Sequence, residues 1–323
     1  MTARVLVLAL GGTIASVPSD AGAGGGAIPT LTADDLLAAV PGLAEVAQVE
    51  ARTVRQKPSC DITPQDVREV AALAAAAFAE GVAGVVVTQG TDTLEETAYL
   101  LDLWHGGPEP IVVTGAMRTP TSAGADGPAN LLAAVRVAAS QAARELGALV
   151  VFADEVHAAR HVTKSHVESI AGFASPGLGP LGRVSEGRVR IDLRPTERTQ
   201  TLSAPRGEGW PRVPIVRVAQ GTDLTEVEAL AAVADGLVIE GVGGGHVPSP
   251  TVAGLEAVAR RIPVVLASRV GAGGTLSATY GYPGSELDLL ARGLASAGPL
   301  DALKARLRLA AQLAAAQSSH NSV

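Results

Sequence analysis

Hydrophobic positions in this chain come in short unbroken runs rather than in alternation. Val5-Leu6-Val7-Leu8-Ala9-Leu10, Val82-Ala83-Gly84-Val85-Val86-Val87, Ile111-Val112-Val113 and Ala148-Leu149-Val150-Val151-Phe152 have no polar face. Such runs fit strands covered on both sides, as in a parallel sheet between layers of helices. Alanine-rich stretches lie between them. Thr32-Ala33-Asp34-Asp35 opens a short helix with a threonine cap and acids in its first turn. Another helix starts in Asp61-Ile62-Thr63-Pro64-Gln65-Asp66 and runs to Glu80, where Gly81 stops it. Leu94-Glu95-Glu96-Thr97-Ala98 opens a third, Asn130 to Leu146 forms a fourth, and a further strand covers Glu45 to Val54. Strand, polar turn and helix repeated in this way is the rhythm of βαβ units.

Residues 194–212 are mostly Pro, Thr, Arg, Glu and Gly, the composition of an interdomain linker. Beyond it, Val213–Val218, Gly236–Glu240 and Ile262–Ala267 read as strands. Helices at Glu226–Ala234 and Thr251–Arg260 separate them, and Pro299–Ala315 closes the chain as a helix. The expected fold class is therefore α/β. A larger N-terminal domain, 1–193, carries a parallel-rich β-sheet flanked by helices, and a smaller C-terminal α/β domain, 213–323, carries a second parallel sheet. A length of 323 residues agrees with two cores.

Two stretches stand outside this rhythm. Pro18 to Pro29 holds small residues without apolar periodicity, and reads as a mobile lid behind the first strand rather than as strand or helix. Arg183 to Arg194 mixes arginine with acids and reads as a solvated face.

Composition narrows the function. A net charge of −7 argues against nucleic acid as a partner, because phosphate binding needs a basic face. With Cys60 as its one cysteine, the chain has neither an intrachain disulfide framework nor a multi-cysteine metal site. No apolar run approaches the length of a membrane span. Met1-Thr2-Ala3-Arg4 leads straight into the first strand without the pattern of a secretory leader. A soluble, cytoplasmic protein that does not bind membrane is expected.

Ligands of open α/β sheets gather at the carboxyl ends of the strands. Here those ends carry Gly11-Gly12-Thr13, then Gln89-Gly90-Thr91-Asp92-Thr93, then Thr114-Gly115-Ala116-Met117-Arg118. The turns hold no G-x-G-x-x-G, no phosphate loop and no G-x-S-x-G elbow. His157, His161 and His166 are spaced suggestively, but H-E-x-x-H is missing and Lys164 would set a competing positive charge beside an ion. No metal is expected. What remains is a hydroxyl nucleophile, Thr13, which needs a base or relay to attack. Thr91, Asp92 and Lys164 can form one, since a partly buried lysine shifts its pKa readily. Asp92 with Glu95 three residues on also reads as an N-cap and capping box, a role compatible with substrate contact.

Together, these residues carry a resemblance. Leu8 to Ser16, Gln89 to Glu96, Thr114 to Arg118, Ala125 to Asn130, Val162-Thr163-Lys164 and Ile239 to Gly243 resemble the bacterial-type L-asparaginase family, particularly its cytoplasmic members. The resemblance implies hydrolysis of the side-chain amide of L-asparagine to L-aspartate and ammonia, without metal or cofactor. It makes Thr13 the nucleophile that forms a β-aspartyl ester, and Thr91, Lys164 and Asp92 the relay. Backbone N–H groups at the Gly90–Thr91 turn would hold the oxyanion. Ser59 and Asp92 would hold the substrate's α-carboxylate and α-amino groups, and Ala116 would line the pocket. A homo-oligomer is implied, a dimer or a tetramer of intimate dimers, with sites near the subunit interface. Related readings are a glutaminase-asparaginase of broader specificity, an amidase acting on glutamyl-tRNA, which the acidic charge disfavours, and a non-catalytic amino-acid sensor.

The chain departs from the family pattern at several points. Leu10 stands where threonine is usual and Gln89 where histidine is frequent. No tyrosine lies between Ile14 and Leu31, where many members place one beside the nucleophile. Gly243-Gly244-Gly245-His246 lacks an asparagine that many members present across the interface, and Tyr280-Gly281-Tyr282 stands near the place of an interface glutamate. Cys60 replaces a side chain that helps hold the α-amino group in some members. The expectation drawn from these departures is that Tyr280, supplied by the second domain, positions the Thr13 hydroxyl.

Overall fold

The structure, a computed structural model, describes residues 2–19, 26–207, 209–223 and 225–320. The chain divides into two units, Met1–Thr201 and Leu202–Val323. In the first, the apolar runs become strands because only a fully paired backbone can be buried between two helical layers. The chain enters through β1 (Arg4–Gly11), makes a 3-10 turn over Thr13–Ala15, and forms a small antiparallel hairpin of β2 (Ser16–Pro18) and β3 (Ala27–Pro29). Helices α1 (Ala33–Ala38) and α2 (Leu43–Val46) lead to β4 (Gln48–Lys57), and α3 (Pro64–Ala79) follows. The alternation continues through β5 (Gly84–Thr88), α4 (Leu94–Trp104), β6 (Ile111–Thr114), α5 (Gly127–Ala139) and β7 (Ala148–Phe152). Short strands complete the unit: β8 (Glu155–Ala158), β9 (Thr163–Lys164), β10 (Phe173–Ala174), β11 (Gly182–Ser185) and β12 (Arg188–Ile191).

One eight-stranded sheet runs in the order β12-β11-β8-β7-β6-β5-β1-β4. The strands β7-β6-β5-β1-β4 are parallel, with Val5 opposite both Val49 and Gly84, and Val85 opposite Ile111. Val7, Val86, Val112 and Leu149 are fully buried in its core, where they pack with Leu131, Ala134 and Val137 of α5. From β1 the chain leaves toward β4, and from β5 it leaves toward β6, on the opposite side. The two connections part between β1 and β5, which makes the crevice at their carboxyl ends the topological switch point of the sheet.

The second unit has its own core and a wholly parallel four-stranded sheet, β13 (Ile215–Arg217), β14 (Leu237–Gly241), β15 (Val264–Ser268) and β16 (Ala295–Ser296). Its helices are α6 (Thr225–Ala231), α7 (Val252–Ala259), α8 (Glu286–Ala291) and α9 (Ala302–His320). The larger mostly parallel sheet and the smaller parallel one are the α/β architecture the apolar runs foretell. Residues 194–212 contribute no helix or strand among the described residues.

Local expectations fail in two places. The stretch behind the Thr13 turn is not structureless, since β2 and β3 pair from Ser16↔Pro29 to Pro18↔Ala27; residues 20–25, the middle of the expected lid, lie outside the described residues. The helix expected over Asn130–Leu146 starts at Gly127 and ends at Ala139. Ser140 turns extended there, and its hydroxyl caps a separate 3-10 turn over Gln141–Ala143. Just after the Ala148–Phe152 run, Glu155–Ala158 forms an antiparallel strand on β7. The arginine-rich stretch is the solvated face expected, with Arg183, Arg188 and Arg190 exposed on the β11–β12 hairpin. Antiparallel edge strands this short carry too little periodicity to be read from sequence.

Candidate active site

Thr13 is half-buried and opens the 3-10 turn after β1. Gly12 before it has φ 81° and ψ −172°, a conformation open to essentially no residue but glycine. Its N–H donates to Lys57 O at 3.0 Å, and its own carbonyl accepts from Ser16 Oγ at 2.8 Å. The Thr13 turn is thereby tied to the end of β4 and closed on itself.

The β5 turn lies against it. A Cβ placed on Gly12 would fall 1.9 Å from Gly90 N and 2.2 Å from Gly90 Cα, so the two backbones touch. A Cβ on Gly90 would lie 3.0 Å from Ser59 Oγ and 3.2 Å from Gly12 Cα, which brings the Ser59 turn to the same point. Thr93 Oγ1 donates to Ser59 O at 2.8 Å and fixes that approach. Gln89, buried behind the turn, reaches Thr93 Oγ1 with Nε2 at 3.3 Å. Ala116, fully buried after β6, joins through Gly127, where a Cβ would meet Ile14 Cγ1 at 2.9 Å and Ala116 Cβ at 3.5 Å. Four turns therefore converge, and their carriers are Thr13, Ser59, Gly90–Thr91 and Ala116.

Lys164 completes the cluster. Its Nζ donates to Thr91 Oγ1 at 2.8 Å and to Asp92 Oδ1 at 2.6 Å. Thr91 is buried, the Lys164 side chain is 15% exposed and that of Asp92 is 72% exposed. The ion pair alone is worth little in so open a position. Its value is geometric, because it aims the ammonium at the Thr91 hydroxyl.

The capping box expected of Asp92 and Glu95 does not form. Helix α4 begins at Leu94 with Thr93 as its N-cap residue, and no side chain caps it. Asp92 turns to Lys164 instead, and the buried Glu95 reaches to β9, where Oε1 accepts from Thr163 Oγ1 at 3.2 Å and from Lys164 N at 3.1 Å. Local spacing gives the right turn but the wrong partners.

Supporting residues that sequence reasoning did not assign hold the other turns. Asp126 accepts from the N–H groups of Met117 and Arg118 at 3.0 and 2.9 Å. Buried Asn130 donates to Gly115 O at 3.0 Å and accepts from Ala153 N at 3.0 Å, bridging the ends of β6 and β7. Both lie in the Ala125–Asn130 motif, which is the signal that could have found them. Asp66 forms a capping box with Thr63 and takes ion pairs from Arg55 Nε at 2.6 Å and Lys57 Nζ at 2.9 Å. Burial opposes its charge, but bonds from Thr63, Lys57 and Arg55 outweigh this and hold the carboxyl well below the usual carboxylate range.

The sequence profile of the "Asparaginase, N-terminal" family matches residues 4–197, and that of the "Glutaminase/Asparaginase C-terminal domain" matches residues 212–322. This chain belongs to the asparaginase family. It is 35% identical over 318 residues to an L-asparaginase of Bacillus licheniformis, covering 97% of this chain and 96% of that protein. It is 38% identical over 314 residues to a probable L-asparaginase of Deinococcus radiodurans, covering 95% and 91%. The crystal structure of a probable cytoplasmic L-asparaginase from Campylobacter jejuni superposes with a TM-score of 0.85 at 30% identity, over 96% of this chain and 95% of that one.

Against the family pattern, the second unit has a polar cluster of its own. Tyr280 and Tyr282, 45% and 47% exposed, flank His246, with ring centroids 5.2 and 5.5 Å from the imidazole in edge-on contact. Tyr282 Oη lies 2.8 Å from His246 Nδ1, and His246 Nε2 lies 3.0 Å from Glu286 Oε2. Glu286 is fully buried, and its other oxygen accepts from the N–H groups of Thr279 and Tyr280 at 2.7 Å each. Tyr280 is thus held by its backbone and its ring. Of the three suggestive histidines, His157 pairs through Nδ1 with Ser175 Oγ at 3.0 Å, and His166 Nδ1 accepts from the N–H groups of Glu168 and Ser169. No helix among the described residues is long and apolar enough to cross a membrane.

Proposed function

We propose that the protein is an L-asparaginase, an amidohydrolase that converts L-asparagine to L-aspartate and ammonia with Thr13 as nucleophile. The observation that carries this reading is the Thr91–Lys164–Asp92 set, built on a turn whose backbone touches the Thr13 turn at the switch point of the sheet. The Thr13 hydroxyl adds to the amide carbon and gives up its proton. Ammonia departs with one proton more than the amide nitrogen held, and a β-aspartyl ester remains. Water adds to that ester, releases aspartate and restores the hydroxyl. Lys164 and Thr91 pass the protons, and Asp92 keeps the ammonium end aimed at Thr91. Backbone N–H groups of the Gly90–Thr91 turn, at the start of α4, face the developing oxyanion. Ser59 and Asp92 hold the α-carboxylate and α-amino groups so that the amide carbon alone reaches Thr13, and Ala116 bounds the pocket.

Release of ammonia from L-asparagine by the purified protein tests the reading. Thr13→Ala is expected to stay folded and to bind substrate without turning it over. A tenth of the activity surviving would remove Thr13 from the role, and a wild-type protein that binds amino acids without releasing ammonia would make it a sensor. A broader glutaminase-asparaginase is the second reading, favoured by the C-terminal match, which is to a domain described for both activities. Relative rates on L-asparagine and L-glutamine separate the two.

Tyr280, supplied by the second unit, positions the Thr13 hydroxyl in this reading. Support comes from the missing tyrosine between Ile14 and Leu31 and from the fixed, half-exposed Tyr280 ring. A homo-oligomer, dimer or tetramer, with sites near its interface is the assembly proposed, and light scattering in solution measures it. A cytoplasmic location is proposed on the likeness to the C. jejuni protein, which is described as cytoplasmic.

A further inference from the structure

The catalytic lysine of this reading has weak support of its own. Lys164 stands in β9, a strand of two residues whose ladder is the pairing of Phe173 with Lys164 and of Ala174 with Thr163. A ladder that short does not fix a backbone by itself. Yet Lys164 Nζ must sit within hydrogen-bond reach of Thr91, on a different element 73 residues away.

Glu95 supplies the missing constraint. It lies one turn after Thr91 at the start of α4, is 5% exposed, and with a single oxygen grips the Lys164 N–H and the Thr163 hydroxyl. Lys164 is therefore held at both ends by the segment after β5, its backbone by Glu95 of α4 and its ammonium by Thr91 and Asp92 of the preceding 3-10 turn. We propose that Glu95 is a positioning residue for the reaction, fixing the backbone of Lys164 so that Nζ meets Thr91 Oγ1. This rests on the relay proposed above. The spacing that suggests a helix cap in Glu95 conceals this role, because the carboxylate that would close on its own turn crosses to another strand.

The argument predicts which chemistry survives in which variant. In Glu95→Gln the amide oxygen can accept from both donors, so the lysine stays in place. In Glu95→Ala the two donors lose their acceptor, and β9 keeps its short ladder and the bonds of the Ser165 and His166 N–H groups to Gly172 O. A displacement of about 1 Å at a proton-transfer group costs up to about a hundredfold in rate.

The test is a steady-state comparison on L-asparagine with the folded fraction measured alongside. Glu95→Ala is expected to lose at least about tenfold in kcat with KM within about threefold, while Glu95→Gln recovers most of that loss. In a Lys164→Met background, Glu95→Ala should remove nothing further, since a residue acting through Lys164 has nothing left to act on. Loss of melting temperature with kcat per folded molecule unchanged, or an equal further loss in the Lys164→Met background, overturns the proposal. A readout independent of turnover is the 13Cε resonance of Lys164, assignable because Lys57, Lys164 and Lys304 are the lysines of the chain. Glu95→Ala should shift and broaden that resonance and Glu95→Gln should not. If the wild type releases no ammonia, the proposed function fails, while the resonance still decides whether Glu95 fixes the lysine; an unmoved resonance in Glu95→Ala overturns it.

Discussion

Gly12→Ala puts the convergence of the two threonine turns to a quantitative test. The added methyl would begin 1.9 Å from Gly90 N and 2.2 Å from Gly90 Cα, both main-chain atoms that no rotamer change can move. Relief requires the β1 and β5 turns to part by more than 1 Å, against the parallel pairing that holds Leu8 to Val87 and Ala9 to Thr88 one step earlier. The backbone conformation costs about 1–3 kcal/mol for a residue with a Cβ, and forced overpacking costs about 1–3 kcal/mol more. A total of about 2–6 kcal/mol is expected in urea unfolding at pH 7. Where the protein stays folded, separating the turns should lower kcat/KM by about a hundredfold. Gly81→Ala is the control. Gly81 shares a φ of 81°, but nothing lies within 4 Å of its Cβ position, and it is remote from the turns. It should cost about 1–2 kcal/mol and leave turnover unchanged. The reasoning fails if Gly12→Ala costs no more than Gly81→Ala, or if it unfolds no sooner and keeps full activity.

Three further outcomes follow from the same geometry. Tyr280→Phe is expected to lower kcat at least tenfold with its fold intact, and near wild-type turnover would end the role given to that hydroxyl. Asp66 has its carboxyl held below the ordinary range, so its contribution is complete above about pH 4 and is lost as pH falls toward the folded value. Asp66→Asn should therefore cost about 2–4 kcal/mol at pH 7, and its deficit against wild type in urea unfolding should narrow toward pH 3. Asn130→Ala leaves Gly115 O and Ala153 N without their bonds and should cost about 2–4 kcal/mol, with a raised KM for asparagine because Ala116 loses its support. Calorimetry and initial rates on one preparation check both effects.

The sequence by itself determined the strands that are buried on both faces, since an unbroken run such as Val85-Val86-Val87 has no polar side to show to water. It also supplied the candidate chemistry at the strand ends, where Gly11-Gly12-Thr13 and Gly90-Thr91-Asp92 point to the hydroxyl nucleophile and relay proposed above. Capping at Thr32 was equally legible, because a capping box involves residues three apart and nothing beyond them. The same local logic failed at Asp92 and Glu95, whose partners lie about seventy residues down the chain. It failed again at the hairpin behind Ser16 and at the antiparallel edge, where pairing rather than propensity makes the strand. Only the tertiary structure decided that β1 lies between β4 and β5, which brings Gly12 against Gly90 and sets Ser59 beside them. Periodicity reports which face of an element is buried. Strand order, a property of the whole sheet, decides which turns meet.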